Sequence, residues 1–283
     1  MKKILIGAGS DLGVHIDGAS LGPEVILKKK NLKKVLFKQN KNIKKSKTKN
    51  DLKKNLVDLN QFNETLYNFL KKEKNFCITV GGDHSIAIAS ALASLKKEKN
   101  LGIIWIDSHL DYNTFATTIT GNLHGLPLAA LNGLNQDLSK FHDGNYYNPQ
   151  NTVVVGYRAL EENALAEIQN IQTMGVTVYT TEDIKKYGVS KIMEEAFKIA
   201  FKNTSGLHIS FDLDVIDPDI APGVSVKEKN GINLDETKEI INFLNTKKKY
   251  LKAFDLVEYN PLNDQNNTTL EIANYILENI IKD

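Results

Sequence analysis

A chain of 283 residues with 41% hydrophobic and 25% charged side chains has ordinary globular usage and can bury one substantial core, so a single α/β domain over 1–283 is expected. Its 36 basic and 34 acidic side chains nearly cancel to a net charge of +2, which excludes a field strong enough to gather nucleic acid. No run approaches the roughly 20 apolar residues of a membrane span. The opening apolar run is too short for a secretory signal, and the lone Cys77 excludes an intrachain disulfide; the expectation is a cytoplasmic protein without membrane or nucleic-acid partners.

Along the chain, short continuous apolar runs bounded by Gly, Asp and Asn occur at 4–6, 76–80, 101–106, 152–155, 176–179, 207–211 and 251–257. Continuous rather than alternating runs suit strands buried on both faces. After the first run, Gly7, Gly9 and Gly13 are spaced one residue too long for a dinucleotide phosphate turn, and no acid closes a second strand about 20 positions later, so that function is not expected. Gly22-Pro23-Glu24 places a proline and an acid where a first helical turn favours them and predicts a helix through about Lys30. Lysines crowd 28–54, and 36–54 has few large apolar residues; this reads as a solvated excursion rather than a linker between domains. Helical spacing follows in Leu66, Phe69 and Leu70, and again in Ile192, Met193, Ala196, Phe197 and Ala200. The resulting βαβα alternation predicts one parallel sheet with helices on both sides.

Three of the apolar runs end in side chains that bind metals: Gly81-Gly82-Asp83-His84-Ser85, Asp107-Ser108-His109-Leu110-Asp111 and Asp212-Leu213-Asp214. Asp107, His109 and Asp111 stand at i, i+2 and i+4, so an extended backbone would turn them to one side, as it would Asp212 and Asp214. At the carboxyl ends of parallel strands they would meet in the crevice where ligands bind. So many acids at close range repel one another unless cations intervene. Carboxylate and imidazole donors without thiolate favour Mn²⁺ or a similarly hard ion, and a pair of such ions can activate water against an electrophilic carbon.

These segments resemble the arginase and agmatinase ureohydrolases, whose usual motifs are G-G-D-H-S, D-A-H-x-D and S-[FIL]-D-[VIL]-D-x-x-D-P. The last reads here Ser210-Phe211-Asp212-Leu213-Asp214-Val215-Ile216-Asp217-Pro218, and the likeness runs from Gly13 and Gly22-Pro23 to Glu258-Tyr259-Asn260-Pro261. The resemblance implies a three-layer α/β/α sandwich around a mostly parallel sheet, two Mn²⁺ per subunit, a small guanidino or amidine substrate and a homo-oligomer, trimer or hexamer. By it, His84, Asp107, Asp111 and Asp212 would hold one ion and Asp107, His109, Asp212 and Asp214 the other. Asp111 would orient the attacking hydroxide, Glu258 would pair with the cationic head of the substrate, and His124 would shuttle protons to the leaving amine.

The stretch Thr117-Thr118-Ile119-Thr120-Gly121-Asn122-Leu123-His124-Gly125 resembles the arginase loop T-S-G-N-L-H-G, which implies that Asn113, Thr120 and Asn122 bind substrate, Asn113 and Thr120 at an α-carboxylate. The chain departs from arginases at Val226, where a threonine is usual, and at Ala159, Glu161 and Ala164, where acids are usual. Glu161 alone keeps a carboxylate and would be a further substrate-binding residue. Pro222-Gly223-Val224-Ser225 is similar to formimidoylglutamases, although their S-S-G-T loop is absent. The expected reaction is hydrolysis of arginine to ornithine and urea, with agmatine and formimidoylglutamate as alternative substrates. A catalytically silent binding protein would instead lack a ligand, and all six candidate ligands are present.

Overall fold

The structure, a computed structural model, describes residues 2–46, 52–141, 144–158 and 165–282. Among these, eight strands form one sheet: β1 (Lys3–Gly9), β2 (Lys34–Lys38), β3 (Phe76–Gly81), β4 (Leu101–Ile106), β5 (Thr152–Tyr157), β6 (Thr177–Thr180), β7 (Gly206–Asp212) and β8 (Leu251–Val257). Every pairing is parallel, in the order β2-β1-β3-β8-β7-β4-β5-β6. The central strands β3, β4 and β7 are buried throughout, which is why they read as unbroken apolar runs.

Helices cover both faces. On one lie α1 (Gly22–Leu27), α6 (Thr181–Tyr187), α7 (Val189–Phe201), α8 (Leu234–Thr246) and α9 (Thr268–Ile281), packing Ile26, Ile192, Ile240 and Ile276 against Ile104, Phe211 and Phe254. On the other lie α2 (Leu52–Leu70), α3 (Ala87–Lys97), α4 (Pro127–Leu131) and α5 (Leu165–Met174), packing Leu66, Leu92, Leu128 and Ile171 against Ile4, Ile103 and Trp105. No helix among the described residues is long and apolar enough to cross a membrane. Thr180 and Asn233 start α6 and α8 with reciprocal capping boxes, so Asp183 and Glu236 cover amides that the first turns leave unpaired.

Two elements differ from expectation. The first helix ends at Leu27 rather than near Lys30. The lysine-rich excursion contains an edge strand, β2, in which Lys34, Leu36 and Lys38 are exposed while Val35 and Phe37 pack inward. Lysines along an open edge discourage pairing with other chains, and they also hide the strand from a reading tuned to continuous apolar runs.

Because all strands run the same way, their carboxyl ends share one rim. The chain leaves β3 through α3 on one face and β7 through α8 on the other, so a crevice opens at the ends of β3, β8, β7 and β4.

Candidate metal centre and substrate pocket

The crevice is built where backbones pass closely. The amides of Gly82 and Asp83 donate to Ala8 O and Ser10 O, both at 2.8 Å, and a Cβ on Gly82 would stand 1.8 Å from Ser10 O. Only glycine fits there, which is the physical content of the second glycine in Gly-Gly-Asp-His. Asp83 then accepts from Ser85 N and Gly13 N, turning the chain so that His84 enters the crevice.

The candidate ligands meet by turns rather than by the extended alternation expected. β4 stops at Ile106, Asp111 has φ of 50°, and Asp214 sits in the turn Leu213–Val215 with its amide donating to Asp212 Oδ1 at 2.7 Å. Once there, His84 Nδ1 faces Asp107 Oδ2 at 2.9 Å, Asp212 Oδ2 at 3.0 Å and Asp111 Oδ2 at 3.2 Å. His109 Nδ1 faces Asp214 Oδ2 at 3.0 Å and Asp107 Oδ1 at 3.5 Å. Two groups able to hold an ion result, His84 with Asp107 and Asp111, and His109 with Asp107 and Asp214, so Asp107 belongs to both.

The donor atoms fit cations better than they fit one another. His84 Nδ1 and Asp111 Oδ2 are buried and have no hydrogen-bond partner among the described residues, although three carboxylate oxygens surround that nitrogen. The ring is already fixed elsewhere: its Nε2 lies 2.8 Å from Ser210 Oγ, and Trp105 stacks on it at 3.9 Å while donating to Asp107 Oδ2 at 2.9 Å. Such outer bonds orient a ligand and leave its other nitrogen for a metal.

Without an ion, protons take the role of the cations. Burial resists charging of His84, but Asp107, Asp111 and Asp212 prevail and hold its pKa well above the ordinary value. His109 is raised likewise, burial being outweighed by Asp214 and Asp107. Burial, reinforced by Asp214 and Asp107, pushes Asp212 well above the carboxylate range, and burial with Asp107 lifts Asp111 to about 6. A cluster that concentrates protons in this way is one from which a dication would expel them.

A cavity of about 190 Å³ stands over the cluster, lined among others by Asn113, Thr118, Thr120, Asn122, His124, Tyr157, Glu167 and Val226. The expected substrate residues Asn113, Thr120 and Asn122 are therefore together; Glu161, with Ala159 and Ala164, lies outside the described residues. Glu258 stands behind the cavity, where its Oε1 accepts from His84 N at 2.7 Å and lies 2.8 Å from His124 Nδ1. Its Oε2 is buried without a partner among the described residues. Burial opposes charging of His124, but Glu258, Asp83 and Asp111 lift its pKa to about 9.

Known proteins resemble the chain along nearly its whole length. A profile of the Arginase family matches residues 2–282. The chain belongs to the arginase family. Arginase from Bacillus subtilis is 36% identical over 245 residues, 84% of this chain and 81% of that protein. The crystal structure of arginase from Bacillus subtilis superposes with a TM-score of 0.87 at 31% identity, covering 100% of this chain and 99% of that one. Arginase from Entamoeba histolytica, solved with L-ornithine, gives 0.88 at 28% identity over 99% and 98% of the two chains.

Beside these arginase-family motifs, the structure brings in residues that sequence reasoning missed. Glu167 comes from α5 into the cavity wall, where it accepts from Tyr112 N at 2.8 Å. Ser210 precedes Asp212 by two positions on β7 and so points to the same side, and Trp105 precedes Asp107 by two where β4 ends, a spacing available in the sequence. Among the described residues, the positive-φ positions other than glycine are all asparagine except Asp111 and Glu258, at 50° and 67°, and both are candidate functional residues. Backbone held in this region costs on the order of 1–3 kcal/mol and persists where the surroundings demand it.

Proposed function

We propose that the chain hydrolyses the guanidinium C–N bond of L-arginine to give L-ornithine and urea, using two divalent ions of the Mn²⁺ type. The observation that carries this reading is the pair of His/Asp clusters sharing Asp107 beneath a cavity walled by the Asn113 to Gly125 loop. His84, Asp107, Asp111 and Asp212 would hold one ion, and Asp107, His109, Asp212 and Asp214 the other. When bound, such ions supply the Lewis acidity that makes water a nucleophile near neutral pH.

The chain's own side chains do the rest. Asp111, whose Oδ2 faces His84 in the ion group, would orient the attacking water through its other carboxylate oxygen. Glu258 offers its unspent Oε2 to the guanidinium, whose planar fork suits a carboxylate. His124, held at Nδ1 by Glu258, would donate a proton to the departing amine. Asn113, Thr120, Asn122 and Glu161 would select the amino-acid end, and that arginases from two other organisms are alike over nearly the full chain supports arginine as the substrate.

One feature favours agmatine instead: Val226 in the cavity wall offers no hydroxyl where a substrate carboxylate would need donors. Purified protein supplied with Mn²⁺ and either compound distinguishes the two by urea release. Arginine is expected to be consumed, and urea from agmatine but not from arginine at equal concentration overturns the arginine reading.

A further inference from the structure

Arg158 is the only arginine in the chain; every other one of the 36 basic residues is a lysine. It follows β5, and its guanidinium is spent on backbone carbonyls from two segments. Nη2 donates to Asp214 O at 2.7 Å and Glu228 O at 2.8 Å, Nη1 to Val215 O at 2.9 Å, and Nε to Lys229 O at 3.0 Å. One planar group thus ties the Leu213–Val215 turn to the loop that follows Val226.

Both tethered segments face the same imidazole. Asp214 Oδ2 lies 3.0 Å from His109 Nδ1, and Glu228 Oε1 lies 3.8 Å from His109 Nε2. The packing leaves little slack: a Cβ on Gly231 would come within 2.7 Å of Arg158 Nη2, and one on Gly156 within 2.4 Å of Val215 Cγ2. Lysine presents one nitrogen at the end of a flexible stem and cannot satisfy carbonyls spread across a plane. In a sequence that otherwise uses lysine for every basic position, a guanidinium kept here answers that geometry.

We infer that Arg158 is a positioning residue that, by joining the Asp214 turn to the Glu228 loop, governs ion occupancy of the Asp107, His109 and Asp214 group while leaving the His84 group intact. This rests on the two-ion reading proposed above. Calorimetric titration of Mn²⁺ into chelator-stripped wild type and Arg158→Lys tests it. The wild type should take two ions, and the variant should keep one with unchanged affinity and bind the other about 10- to 100-fold more weakly, the size of effect that outer partners of ligands have.

Unchanged binding of both ions in the variant overturns the inference alone. Equal weakening of both also overturns it, because that is what a general loss of structure produces. A wild type that takes fewer than two ions overturns the two-ion reading and this inference with it.

A measurement without mutation guards against failure of the variant to fold. Protein labelled with arginine carrying ¹⁵N at Nε gives a single side-chain Nε–H signal, since Arg158 stands alone. Titrated with diamagnetic Zn²⁺, that signal should respond to one equivalent and not to the other; a response to neither, or to both alike, overturns the assignment.

Discussion

The floor and the rim of the cavity are built on different terms. On the floor, His84, Asp107, Asp212 and Asp214 are buried, stand at or just beyond strand ends, and are held by partners such as Trp105, Ser210 and Ser108, the last two from distant segments. On the rim, Asn113 and Asn122 are half-buried and Thr120 is exposed, and several of their side-chain bonds stay within the loop: Asn113 Oδ1 accepts from Thr117 Oγ1, and Thr120 Oγ1 accepts from Asn122 N. On the function proposed, the sheet sets the chemistry and the loop would set the choice of substrate. A loop can change at small cost to stability, whereas a floor residue cannot change without disturbing several others.

Three substitutions probe that contrast. Asp107→Asn should have the largest effect, because Asp107 belongs to both ion groups: urea release should drop by more than the roughly 100-fold that altering an outer partner costs, with metal content falling in parallel. Retention of two ions and most of the activity would show that the floor is not organised around this carboxylate. On the rim, Asn113→Ala should raise KM for arginine about tenfold and leave kcat within about twofold, the loss of one hydrogen bond to a charged group. If kcat falls with it, the rim takes part in the chemistry and the contrast dissolves.

The smallest effect concerns stability. Asp111 has a folded pKa of about 6 against 3.8 for the free side chain, so its favourable contribution is complete below pH 3.8 and lost as pH rises through 6. At pH 7.5 it is therefore a liability to the metal-free fold, increased by its positive φ, a conformation asparagine tolerates better. Asp111→Asn should make the chelator-treated protein more stable to guanidinium chloride by on the order of 1 kcal/mol while weakening metal binding. A less stable metal-free variant would mean that the floor carries no such strain.

Much of this was legible in the sequence because burial on both faces turns central strands into apolar runs, and ligands at the ends of those runs come out as compact motifs. β2 was hidden by its own lysines, and Glu167 by lying in an ordinary helix 55 positions from the Tyr112 amide it meets. The turns at Asp111 and Leu213–Val215 left no trace in residue spacing, since alternation along an extended chain places the same side chains together for a different reason. Arg158 was visible only as a rarity, the single arginine, with nothing local to say what it touches.

The place of β8 has a consequence in time. This last strand of the sheet enters between β3 and β7, so until 251–257 has left the ribosome those two strands stand as unpaired edges and His84 has no common frame with Asp107 and Asp212. The Asp107, His109 and Asp214 group lies on the directly paired strands β4 and β7, so a chain that lacks β8 would bring one ion group together without the other, beside two open strand edges that invite aggregation.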